Sequence, residues 1–84
     1  MAVTLRVPAE FACCHAEVAG DFTAWAPVVM CREPAGDYSL TVRLPRGRLW
    51  QYRFLVDGDR WINDPRADDY VSRADGGAAS VLQT

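Results

Sequence analysis

Apolar and polar residues alternate along several short stretches of this chain, and a period of two is the mark of half-buried β-strands. Val3, Leu5 and Val7 alternate with Thr4 and Arg6 until Pro8 stops the run. Cys14, Ala16 and Val18 then share one phase and Cys13, His15 and Glu17 the other, with Gly20-Asp21 as the break. Phe22 to Pro27 is irregular, Val28-Val29-Met30-Cys31 is a short apolar run, and Pro34-Ala35-Gly36-Asp37 has the composition of a turn. Two strands stand out. Tyr38, Leu40, Val42 and Leu44 alternate with Ser39, Thr41 and Arg43; after Pro45 to Arg48, Trp50, Tyr52, Phe54 and Val56 alternate with Gln51, Arg53, Leu55 and Asp57. Asp57-Gly58 is a hairpin signal with Arg60-Trp61-Ile62 as the returning strand. From Asp64 to Ala79 the chain is polar and reads as loop, with at most a helical turn over Ala67 to Arg73, and Ser80 to Gln83 reads as a closing strand. Short strands, frequent turn signals and no helical period predict an all-β antiparallel sandwich, as a single domain over residues 1–84.

Composition narrows what such a sandwich can do. The chain has 84 residues, half of them apolar and 24% charged, with a formal net charge of −2. Ordering it costs on the order of 125 kcal/mol at ~1.5 kcal/mol per residue, so most apolar side chains are needed in the core. A surface site is therefore expected instead of a deep pocket, in a molecule with a radius of gyration of about 12 Å. All nine basic residues are Arg, interspersed with eleven acids. That excludes the basic stripe of a nucleic-acid binder and the basic amphipathic helix of a membrane-surface protein. No apolar stretch approaches the ~18–20 residues of a membrane span, and Met1 to Val7 lacks a signal-peptide core. Three Cys, two of them adjacent, do not make a disulfide framework, and a cytoplasmic protein is expected.

Catalytic and metal chemistry find little support. His15 is the only His, and a Cys–His pair needs an orienting third group and an oxyanion pocket. Neighbours in a strand point to opposite faces, so Cys14 and His15 would not meet, and the adjacent Cys13 and Cys14 would diverge from any common metal that Cys31 might share. Asp57, Asp59, Asp68 and Asp69 sit in turns and a polar loop, where carboxylates form turns or are solvated. Gly76-Gly77 leads into a strand and not into the helix N-terminus that a phosphate loop needs. No enzyme, metal or cofactor is expected. The aromatic residues are more informative. Trp25 and Trp61 fall in loop or turn contexts, and Arg53 holds the outward phase of its strand. Flat indoles beside a planar guanidinium suit a sugar, whose C–H face packs on the ring while its hydroxyls accept from Arg. Alternatively, both indoles plug the ends of the sandwich.

The order of motifs resembles family 48 carbohydrate-binding modules. Val18-Ala19-Gly20-Asp21-Phe22-Thr23-Ala24-Trp25 is similar to their V-x-G-x-F-N-x-W segment. Leu44-Pro45-Arg46-Gly47 and Gln51 to Gly58 resemble L-P-x-G-x-x-x-Y-K-F-x-V-D-G, Trp61 to Pro65 resembles W-x-x-D-P, and Val81-Leu82 resembles the closing N-N-V-L. The resemblance implies an immunoglobulin-like, early-set β-sandwich, as in the glycogen-binding module of AMP-activated protein kinase β subunits and the N-terminal domains of isoamylases and branching enzymes. It implies non-catalytic binding of glycogen or a related α-glucan, with Trp25 and Trp61 as the sugar platform and Arg53 in place of the family's strand Lys. An α-glucan-metabolising enzyme or a regulatory protein is the implied partner. The sequence departs from the pattern in three places. The loop Asp75 to Ala79 lacks the family's apolar residue and Asn, one extra residue precedes Trp61, and Thr23-Ala24 replaces an Asn pair before Trp25. The alternative expectation is a protein-interaction or regulatory sandwich that keeps the fold and has lost the sugar site.

Overall fold

The computed structural model describes residues 1–84 except Cys13 and Asp75. Nine strands are seen among the described residues: β1 Ala2–Val7, β2 Ala16–Gly20, β3 Val28–Val29, β4 Cys31–Arg32, β5 Tyr38–Arg43, β6 Leu49–Val56, β7 Arg60–Ile62, β8 Asp69–Ser72 and β9 Ala78–Gln83, with one 3-10 turn at Asp21–Thr23. They form two antiparallel sheets. The smaller has the order β1-β5-β4; the larger has the order β3-β2-β6-β9-β8, with β7 also pairing with β6. The all-β antiparallel sandwich is thus present, with a radius of gyration of 12.1 Å.

Alternation in the sequence becomes burial in the fold. Trp50, Tyr52, Phe54 and Val56 point inward from β6, and the last three join Leu5 and Val7 of β1, Tyr38 of β5, and Ala16 and Val18 of β2 in one core cluster. Gln51, Arg53 and Leu55 occupy the opposite phase and form the middle of the outer face. Inside, Phe22, Trp50, Tyr52 and Phe54 make a chain of tilted aromatic contacts with centroids 5.7–6.4 Å apart, the separation at which ring edges meet ring faces favourably. The Tyr52 hydroxyl donates to Oδ2 of buried Asp64 at 2.7 Å. Burial, followed by this carboxylate, pushes the Tyr52 phenol far above its usual range.

Gly20 ends β2 for a packing reason. Its φ of −169° is extended, but a Cβ there would lie 2.6 Å from the Gln51 carbonyl oxygen and 2.7 Å from Tyr52 Cβ. Only glycine lets the strand approach β6 this closely.

Other parts of the fold depart from the alternation. The run Val28 to Cys31 does not form one strand: β3 pairs with β2 in the larger sheet and β4 with β5 in the smaller. The chain changes sheets at Met30, which is buried and whose N–H donates to the Ala16 carbonyl at 2.9 Å. β2 begins at Ala16, and exposed Cys14 lies outside it because the Cys14 and His15 amides donate to Asp57 Oδ1. The stretch over Ala67 to Arg73 contains strand β8 in place of a helical turn. Asp57 and Gly58 have φ of 53° and 78°, the left-handed pair that a tight hairpin requires, and β7 returns along β6 from there.

Candidate functional site

The outer face of the larger sheet collects the residues of interest. Arg53 lies mid-strand in β6, flanked by Ala19 of β2, and its Nε donates to the Ala78 carbonyl at 2.7 Å. Trp61 of β7 pairs with Leu55, which puts its indole on Arg53's face, and it is 49% exposed. Arg53 and Trp61, with Ile62, Asn63, Gly77 and Ala78, line an open hollow of about 220 Å³. The extra residue before Trp61 is absorbed in the hairpin turn, so the indole still stands beside Arg53.

Asn63 also belongs to this hollow. Its Nδ2 donates to the Ala78 carbonyl at 3.2 Å, and its Oδ1 accepts from the buried Ser80 hydroxyl at 3.0 Å. The Ala78 carbonyl therefore receives both Arg53 and Asn63 and ties β9 to the two sides of the hollow. Asn63 follows Trp61 by two positions, so strand phase alone was the signal that puts it on the same face.

Trp25 lies on the same outer face but outside the lining of that hollow. Ala24 and Trp25 have φ of 53° and 62°, a left-handed backbone that costs roughly 1 kcal/mol or more per non-glycine residue. Local bonds hold it. Trp25 N donates to the Gly20 carbonyl, Ala26 N to the Thr23 carbonyl, and Gly20 N to Thr23 Oγ1 at 2.9, 3.1 and 3.0 Å. The Asp21 carboxylate then receives Trp25 Nε1 on one oxygen, at 3.1 Å, and Gln51 N on the other, at 2.7 Å. Beyond Gly20, where the β2 ladder ends, this carboxylate takes over as acceptor for β6. Trp25 is tied through Asp21 to Gln51 and Trp61 pairs with Leu55, two positions about 13 Å apart along β6, at ~3.3 Å per residue, with Arg53 midway between them.

Arg73, which follows β8, reaches across to this region. Its guanidinium carbon is 4.2 Å from the Trp25 ring centroid, and Nη1 donates to Gln51 Oε1 at 2.8 Å. The loop between β8 and β9 is closed by Arg73 N to the Gly77 carbonyl and Gly76 N to the Arg73 carbonyl, at 2.8 and 3.1 Å. Asp75 of this loop lies outside the described residues, as does Cys13 of the candidate ligands. His15 Nε2 is 3.7 Å from Glu17 Oε2, and no metal-binding group of three His, Cys, Asp or Glu side chains occurs among the described residues. No helix among them is long and apolar enough to cross a membrane.

Fold and face together define a β-sandwich that presents aromatic, guanidinium and amide groups on an open sheet surface, in the manner of a carbohydrate-binding module. The family model described as the glycogen recognition site of AMP-activated protein kinase matches residues 8–81 of the chain. The chain belongs to that family. None of the curated proteins compared with it matches.

Proposed function

We propose that residues 1–84 act as a single module that binds glycogen or a related α-glucan through Trp25, Arg53 and Trp61, without catalysis of its own. The observation that carries this reading is the half-exposed Trp61 indole beside Arg53 in an open hollow, in a chain of the glycogen-recognition family. An indole left in water is unfavourable unless something apolar covers it, and the C–H face of a glucose ring does so while its hydroxyls take up guanidinium and amide hydrogens. The module localises an α-glucan-metabolising enzyme or a regulatory protein on the polymer.

An open surface buries little area, so oligosaccharides bind with a dissociation constant on the order of 10 µM to 1 mM, and polymer raises the apparent affinity through multivalency. Titration with maltoheptaose and retention on glycogen test this. Trp25→Ala and Trp61→Ala should each weaken binding about threefold or more, the worth of one stacked ring. No retention on glycogen, or retention indifferent to both substitutions, refutes the reading and leaves the protein-interaction sandwich in its place.

A further inference from the structure

Trp25 differs from the other indoles in what supports it. Trp50 is packed in the core against Phe22, and Trp61 rides on a strand paired with β6. Trp25 follows a 3-10 turn on a left-handed backbone, and the core cluster is built from other residues. What holds its ring is a closed circuit through four residues: Trp25 Nε1 donates to Asp21, the Gln51 backbone N–H donates to Asp21, Arg73 Nη1 donates to Gln51 Oε1, and the Arg73 guanidinium stacks back onto the indole. Gln51 stands on the outer face of the central strand. A guanidinium bonded to it and stacked on the indole takes one face of the ring and leaves the opposite face without that cation. Arg73 is itself half-buried, and no carboxylate lies within 4.0 Å of its guanidinium nitrogens among the described residues. Among the described residues its guanidinium partners are the Trp25 indole and the Gln51 side-chain oxygen. A planar cation suits this place: its face stacks on the ring while its edge keeps donors for Gln51.

We propose that Arg73 is the positioning residue for Trp25, the seat that fixes the indole in the orientation in which the face opposite the guanidinium receives a glucose ring. This rests on the glucan-binding reading above and deepens it. The loop that follows Arg73 lacks the apolar residue and the Asn that the family resemblance leads one to expect. Arg73 is the side chain by which the β8–β9 hairpin nevertheless acts on the sugar face, through Trp25 and without touching sugar.

The test uses Arg73→Ala and Arg73→Lys in the whole chain, with two readouts: the Trp25 indole N–H resonance of the free protein, assigned by its loss in Trp25→Ala, and the maltoheptaose dissociation constant. Arg73→Ala should shift and broaden the Trp25 resonance, leave those of Trp50 and Trp61 in place, and weaken binding about three- to tenfold. Arg73→Lys keeps a cation over the ring but loses the planar fork, so it should recover part of both effects. An unchanged Trp25 resonance with unchanged affinity overturns the proposal, and so does tighter binding by Arg73→Ala, which would make the guanidinium a cover instead of a seat. Unchanged affinity alongside a perturbed resonance also overturns it. If the unsubstituted protein binds no maltoheptaose while Arg73→Ala still moves the Trp25 resonance, it is the glucan reading that fails and the contact is structural only.

Discussion

Replacing Gly20 by alanine probes the closest approach in the fold. The added Cβ would stand 2.6 Å from the Gln51 carbonyl oxygen, 2.7 Å from Tyr52 Cβ and 3.0 Å from Tyr52 Cα. Comfortable contact begins near ~3.5 Å, so one of the two strands must retreat by about 0.8 Å. Neither retreats easily. β6 is held by β2 on one side and by β7 and β9 on the other, and the opposing atoms belong to its backbone and a buried Cβ instead of a flexible chain end. Overpacking of this kind costs about 1–3 kcal/mol, and the rigidity of both partners places it toward the upper end. Alanine regains about 0.4–1 kcal/mol by narrowing the unfolded ensemble, because an extended φ suits it. The net expectation is a loss of about 2 kcal/mol, or about 8–16 °C in melting temperature for a chain of this size. Urea unfolding followed by circular dichroism gives the value directly, and the slope with denaturant should stay that of the unsubstituted protein. A variant within about 0.5 kcal/mol of the parent at the same slope would refute the close approach of β2 to β6. The same retreat displaces Asp21 from the Gln51 amide, so glycogen retention should fall together with stability.

The two buried tyrosines should respond in opposite ways to loss of the hydroxyl. Tyr52→Phe strands a carboxylate oxygen of buried Asp64 and should cost about 1–3 kcal/mol, whereas Tyr38→Phe removes a buried hydroxyl that has no partner among the described residues and should be neutral or stabilising in the same urea assay. Alkaline pH offers a further check. The folded-state pKa of Tyr52 is raised above its ordinary value of 10.0, so its contribution is complete below that value and declines as pH climbs beyond it. Stability should thus fall above about pH 10, less steeply in Tyr52→Phe, and a parent and variant with the same alkaline slope would contradict the burial of this phenol.

Strands with one buried and one open face were legible in the sequence. β1, β5 and β6 lie where alternation puts them, and Asp57-Gly58 announced the turn into β7 because both residues adopt positive φ. Strand β8 was hidden because it is an edge: of Asp69, Tyr70, Val71 and Ser72 none is fully buried, so no apolar phase marks them. Val28 to Cys31 read as one run because apolar residues give no sign of which sheet they join. Within the candidate site, Arg53 was reachable from strand phase, and Trp61 from its place just past the Asp57-Gly58 turn. Arg73 carried no local signal, because it meets Trp25 only after β9 has been laid between β8 and β6.

The position of β6 also sets how the face moves. Arg53 sits on the strand with the most hydrogen-bonded neighbours, so its amide should exchange with solvent only when the whole sandwich opens. Trp25 and Trp61 sit on a turn and on a three-residue strand, which can open locally at much lower free energy. The face thus joins one slow element to two fast ones. A ligand spanning all three would slow exchange at the flanks far more than at the centre, and that gradient along the outer face would map where the polymer lies.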